Sequence, residues 1–188
     1  MSKLEITSTL VMRRSARFTK SGHRFLLERG WGEEDAPYVL FCMLNPSTAN
    51  AVSDDPTIRK CIKYVRDWGF TRLRVVNLWN FVTPDPKVLR TWAAEEQVRL
   101  KAVRYGDHSL GIIDGESHYA AFTVCGWGTW GGWFPERAAQ VHAVLSRPHA
   151  LHVTKDGHPG HPLYLPGNAK PKPFLLGATN AMDGNGHE

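Results

Sequence analysis

The chain has 188 residues, 42% of them hydrophobic, a formal net charge of +5 and three cysteines. That length suits one compact domain with a core of its own; no apolar run could span a bilayer and the start lacks a basic-then-apolar leader, so a soluble cytoplasmic protein is expected. Cys42, Cys61 and Cys125 show no paired spacing, which argues against a zinc centre, an iron–sulfur cluster or a disulfide framework.

In chain order, residues 1–16 carry little pattern and read as an arm, and a domain is expected over 17–166. Residues 18–29 read as two short strands about a Ser21-Gly22 turn, a hairpin for a sheet edge. After the acidic loop Glu33-Glu34-Asp35, residues 38–44 form a continuous apolar run, the mark of a parallel strand buried on both faces. It ends abruptly in Asn45-Pro46-Ser47. Pro46 disfavours helical backbone at Asn45, which presents that amide at the strand tip. Asp54 or Asp55 before Pro56 starts a helix whose Ile58, Cys61, Ile62 and Val65 share a face, and Gly69 closes it. Capping alone accounts for one of these aspartates; the other reading aims a carboxylate back at the strand tip.

A second strand, 72–77, also ends in an amide, Asn77, with Asn80 close behind. Two neighbouring strands ending in Asn make a two-sided polar pocket, because an amide offers both the donor and the acceptor that a base edge requires. Residues 86–105 read as a helix with Val88, Leu89, Trp92, Ala93, Val98 and Leu100 on its apolar side. Residues 106–115 form a mixed segment of no assigned type. A third strand, 119–125, runs into Gly126-Trp127-Gly128-Thr129-Trp130-Gly131-Gly132-Trp133, where glycine permits close backbone approach and tryptophan supplies a flat wall. Such indoles either pack or stack on bases and sugars. A helix from Pro135 to about 145, a fourth strand at 150–154 and a His-Pro-rich loop follow, and 167–188 read as a Gly/Pro/Asn-rich tail.

Strand and helix alternate, with polar or glycine-rich loops after the strands. The fold expected is therefore a doubly wound, three-layer α/β/α sandwich on a short, mainly parallel central sheet. Sites in such sheets lie at the carboxyl ends of the strands. The chain contains neither Gly-x-Gly-x-x-Gly nor a Walker A sequence, which argues against dinucleotides and P-loop nucleotides. No cofactor or metal is expected.

In this order, several segments resemble the uracil-DNA glycosylase superfamily: the strand ending in Asn45-Pro46-Ser47; Val75-Val76-Asn77 with its Pro84 loop; Cys125-Gly126-Trp127-Gly128; and His161-Pro162-Leu163-Tyr164-Leu165. The chain is also similar to a bacterial and phage domain family of unassigned function. Its signatures Met-Leu-Asn-Pro-Ser-Thr-Ala, Asp-Asp-Pro-Thr and Lys-Asp-Gly-His-Pro-x-His-Pro-Leu-Tyr-Leu all stand here intact, at 43–49, 54–57 and 155–165. The sequence departs from the superfamily at Met43 and Ser47, where glycine is usual, which alters the pocket floor.

The resemblance implies an N-glycosylase that flips a base out of duplex DNA and leaves an abasic site. In that reading Asn45 positions a water, with Asp54 or Asp55 as the carboxylate. Asn77, or Asn80 in its place, reads the base edge, and His161 or His158 donates to the leaving base. Met43, Pro46, Ser47, Trp127 and Lys155 complete substrate binding, and Leu163 and Tyr164 fill the vacated stack. The expected partner is DNA and the expected state a monomer. The altered floor changes which base would fit, and the bacterial and phage members of the similar family suggest by analogy a modified base of phage DNA, such as glucosylated 5-hydroxymethylcytosine, and hence an antiviral defence role. A free-nucleotide or nucleoside hydrolase and a non-catalytic base reader are the rival readings.

Overall fold

The computed structural model describes residues 12–102 and 107–177. The outer parts of the expected arm and tail, 1–11 and 178–188, and the end of the expected 86–105 helix lie outside the described residues.

The chain is a mixed α/β domain built on a seven-stranded sheet. Strands β1 (Arg13–Phe18) and β2 (Arg24–Gly30) form the expected edge hairpin. They are followed by β3 (Val39–Met43), helix α1 (Pro56–Asp67), β4 (Arg72–Asn77), α2 (Pro86–Ala102), α3 (His108–Tyr119), β5 (Phe122–Cys125), α4 (Pro135–Val144), β6 (Pro148–Ala150) and β7 (Lys172–Pro173). The strand order is β1-β2-β4-β3-β5-β6-β7. The four strands β4, β3, β5 and β6 are parallel to one another, while β1, β2 and β7 pair antiparallel at the flanks. The sheet is therefore wider and more mixed than expected, because the hairpin docks on β4 through β2 and the C-terminal segment adds β7.

Alternation along β3 explains why every residue in it is buried. Leu40 and Cys42 enter a core cluster with Leu89 and Ala93 of α2, Ile113 of α3 and Ala138 and Val141 of α4, whereas Val39, Phe41 and Met43 pack with Ile58, Cys61, Ile62 and Val65 of α1. Covered on both faces, the strand has no use for polar side chains. Each buried aliphatic chain of this size contributes about 1.5–3 kcal/mol relative to exposure.

Four sequence assignments shift. The third strand starts at Phe122, and α3 occupies the mixed segment before it. Gly111 and Gly115 weaken the helical signal there by about 1 kcal/mol each. Asp107 compensates by capping the backbone amides of Ser109 and Leu110 and pairing with buried Arg137. The fourth strand is Pro148–Ala150, earlier than expected. Residues 152–160 double back instead, through Thr154 N to His158 O (2.8 Å) and Gly160 N to His152 O (2.7 Å). On α2, Leu89 and Ala93 face the core but Val88 and Val98 face outward. At the two ends, β1 takes in the last residues of the expected arm, and Phe174, within the expected tail, is buried in the core.

Candidate functional site

The parallel strands stop together, and a cavity of about 510 Å3 opens at their carboxyl ends. Met43, Leu44, Asn45, Ser47, Asp55, Asn77, Trp127, His161, Leu163 and Tyr164 all line it. Met43 and Asn77 are register partners in the β3–β4 ladder, which sets the two strand tips side by side.

Asn45 is clamped. Its Nδ2 donates to the carbonyls of Thr83 (2.7 Å) and Pro46 (2.9 Å), with Phe81 O at 3.3 Å. Three carbonyls fix the amide's orientation, since only the NH2 group can face them. The Oδ1 atom has no protein partner among the described residues and is left to accept from whatever enters. Pro46 is buried, its carbonyl serving this clamp and receiving Thr83 N at 3.0 Å.

Asn77 is the more unusual group. It is 1% exposed, and neither Nδ2 nor Oδ1 has a partner among the described residues. A buried polar atom left unpaired costs about 1–3 kcal/mol, so a donor and an acceptor side by side at a cavity floor are disposed to bind a complementary edge.

The two aspartates are separated by the structure. Asp54 Oδ1 receives Arg29 Nε at 2.6 Å, and Arg14 Nε lies 3.6 Å from Oδ2. Arg29 is fully buried and also donates to the carbonyls of Asn50 (2.6 Å), Ser53 (3.1 Å) and Glu28 (2.7 Å). Asp54 thus belongs to a clamp between β2 and the loop before α1, outside the cavity lining. Asp55 caps α1, its Oδ1 accepting from Ile58 N at 2.8 Å, and also lines the cavity. One carboxylate performs both the capping and the cavity-facing functions that sequence assigned to alternatives.

His161 approaches from the opposite wall. Its Nδ1 accepts the backbone N–H of Leu163 at 3.3 Å, which makes Nε2 the proton-bearing nitrogen of the neutral ring. Burial pushes its pKa below the ordinary imidazole value, with Asp55 opposing, so the ring is neutral at pH 7. Glycines bring this wall close. A Cβ on Gly126 would lie 2.9 Å from Pro162 Cδ and 3.0 Å from Met43 Sδ, and Gly128, at φ +72°, would place one 3.3 Å from His161 Cβ. Tyr64 of α1 secures the same segment, its hydroxyl donating to Pro166 O at 2.8 Å.

Four expected substrate contacts are absent from this lining: Pro46, buried in the Asn45 clamp, and three that lie in other cavities. Asn80 lines a second cavity, with Trp92 and Arg137, and its carbonyl accepts from Arg24 N at 3.0 Å. Lys155 and His158 line a third, next to Pro135 and Ala138, because the 152–160 turn carries them behind the His161 wall. Gly132 backs against the His158 ring, where a Cβ would meet Nε2 at 2.7 Å.

Sequence reasoning missed Arg24, Thr57, Thr83 and His152, which also line the main cavity. Arg24 is 2% exposed, donates through Nη1 to Ala49 O at 2.6 Å and leaves Nε buried without a partner among the described residues. Burial lowers its guanidinium to about 10 against the pull of Asp55, so it stays charged at neutral pH. The available signal was a cation in phase with buried Leu26 within a strand. Among the described residues no cluster of three or more His, Cys, Asp or Glu could hold a metal ion, and no helix is long and apolar enough to cross a membrane.

A mixed α/β domain with a polar-floored cavity at its parallel strand tips is thus the class this chain defines. Residues 24–163 match the model of a protein family of unknown function, DUF1643, and the chain belongs to that family. The matched span opens at Arg24 and closes at Leu163, taking in both strand tips, Asp55 and His161. No curated protein and no solved structure matches the chain.

Proposed function

We propose that this protein is a DNA glycosylase that draws a base out of DNA into the strand-tip cavity and hydrolyses its N-glycosidic bond, leaving an abasic site. The observation that carries this reading is Asn77: a buried amide with both hydrogen-bonding atoms unpaired, flooring a cavity of about 510 Å3. That is the complement of a nucleobase edge presenting an acceptor beside a donor. The parallel strands β4, β3, β5 and β6, with helices on both faces, support a uracil-DNA-glycosylase-like fold beneath it.

The chemistry follows from the other walls. Asn45 Oδ1 and the free carboxylate oxygen of Asp55 accept from one water and orient it toward the sugar C1′. As the C1′–N bond lengthens, its electron pair moves to the base and the sugar acquires oxocarbenium character. The water oxygen bonds to C1′ and yields its proton to Asp55. His161, neutral and protonated at Nε2, donates a hydrogen bond to the departing anionic base, an interaction strongest once that charge has developed. Leu163 and Tyr164, the latter 81% exposed at the rim, occupy the space the base has left.

Met43 and Ser47, standing where uracil-type pockets have glycine, change which base fits, and the bacterial and phage setting of the similar family supports, by analogy, a modified base such as a glucosylated 5-hydroxymethylcytosine of phage DNA, and an antiviral role. The test is base release from DNAs carrying uracil, a thymine mismatch, 5-hydroxymethylcytosine or its glucosylated form, scored by alkaline strand cleavage. Release from one substrate, reduced at least about a hundredfold in Asp55→Asn, is the expected result. DNA binding without release from any substrate would replace this reading with a base reader; release only from free nucleosides would replace it with a nucleoside hydrolase.

A further inference from the structure

Beside the cavity mouth the 3-10 turn Thr129–Trp133 carries two tryptophans three residues apart. In that helix type residues i and i+3 eclipse, so both indoles project from one side. Trp130 and Trp133 are accordingly stacked, with ring centroids 5.8 Å apart and planes 14° from parallel. They are 47% and 39% exposed, although each could have buried a large apolar area.

The turn is held from beneath. A Cβ on Gly131 would lie 2.1 Å from Trp127 Cδ1, and Trp127 itself is 1% exposed. Gly131 therefore lets the turn sit directly on a buried indole while the other two remain outside, and Gly132 lets it back against the His158 ring. Arg90, reaching over from α2, places its guanidinium 5.0 Å from the centre of the Trp133 ring. No carboxylate pairs with Arg90 among the described residues. Flat apolar faces next to an uncompensated cation match the two parts of a nucleotide, an unstacked base and its phosphate.

We propose that Trp130, Trp133 and Arg90 form a binding platform for single-stranded DNA, taking a nucleotide that flanks the one in the cavity. The placement rests on the glycosylase reading, since Trp130 also lines the cavity. A base stacks on the indole pair and Arg90 receives a phosphate of the same strand. Paired and stacked bases in a duplex present no free face to the indoles, so the platform favours single strands over duplex.

The test uses unmodified DNA and needs no base release. Tryptophan fluorescence and the anisotropy of labelled strands are followed for oligothymidylate, for a base-free sugar-phosphate oligomer of equal length, and for a duplex. Oligothymidylate is expected to quench the fluorescence and to bind about tenfold more tightly than either the base-free oligomer or the duplex. The double substitution Trp130→Ala, Trp133→Ala is expected to remove that advantage in a protein that stays folded by circular dichroism, its thermal midpoint lowered only modestly because both side chains are more than a third exposed. Arg90→Ala should weaken oligothymidylate and base-free oligomer alike. Equal binding of the base-free oligomer, tighter binding of duplex, or full affinity in the double variant would overturn the platform. Tryptophan-dependent strand binding without base release from any DNA would remove the glycosylase reading and leave the platform standing; base release indifferent to the double substitution would do the reverse.

Discussion

Replacing Asn77 by leucine should make the free protein more stable while abolishing the base release proposed for it. The side chain is 1% exposed, and both polar atoms lack partners among the described residues. An unpaired buried polar group costs about 1–3 kcal/mol, and an apolar replacement of similar size removes that cost. Two such atoms set an upper figure of about 6 kcal/mol, and water reaching the cavity floor lowers it. A gain of about 2 kcal/mol corresponds to a rise in thermal midpoint of about 4–8 °C for a chain of this length. The paired control is Asn77→Asp, which buries a carboxyl group in the same place and should move the midpoint down. Thermal and urea unfolding of the three proteins, with base release measured in parallel, give the readout. If Asn77→Leu lowered stability by more than about 1 kcal/mol, the amide would have a partner in the free protein, and the argument that it awaits a base edge would fail.

The aspartates should separate in the same way. Arg29→Ala, which strands Asp54 beside a buried clamp, should cost about 3–5 kcal/mol in urea unfolding; Asp55→Asn keeps a good N-cap and should cost under about 1 kcal/mol while abolishing base release. His161 has a folded pKa below its unfolded value, so the unfolded state binds more protons on acidification. Its contribution to stability is whole above the ordinary imidazole value and is lost as pH falls from there through the folded pKa. His161→Gln should flatten that part of the stability profile, and an unchanged slope would count against a buried neutral ring. Burial pushes the thiol of Cys42 up to about 12 and raises those of Cys61 and Cys125. A thiol reagent should therefore find none of the three in native protein and all three in denaturant; rapid native labelling would contradict the packing described for β3, α1 and β5.

Much of the site was legible because parallel sheets place chemistry directly after apolar runs. Asn45 comes just after one strand and Asn77 is the last residue of the next, and both strands have a hydrophobic pattern readable within a few residues, so their lying at the same end of the sheet needed no long-range information. The fold core was readable for the same reason. The flanking strands were harder. β6 begins on a proline and its neighbour β7 lies in a segment whose composition resembles a tail, so what makes them strands is pairing with each other and with β5. The α3 helix likewise depends on an Asp107–Arg137 pair that joins residues far apart in the chain.

The unreadable part of the site has one physical origin: side chains delivered by contacts distant in sequence. Arg24 reaches the cavity because β2 docks antiparallel on β4, and nothing within the hairpin specifies that neighbour. The same docking decides between Asp54 and Asp55. Once Arg29 of β2 is buried against the loop, it draws Asp54 to itself, and the chain must present Asp55 to the helix terminus and the cavity. Two adjacent carboxylates that look interchangeable in sequence are assigned opposite duties by an arginine 25 residues earlier. The hairpin is thereby part of the architecture of the proposed active site. A substitution at Arg29 should disturb base release by releasing Asp54 and loosening the loop that carries Asp55, even though Arg29 itself lies outside the cavity lining.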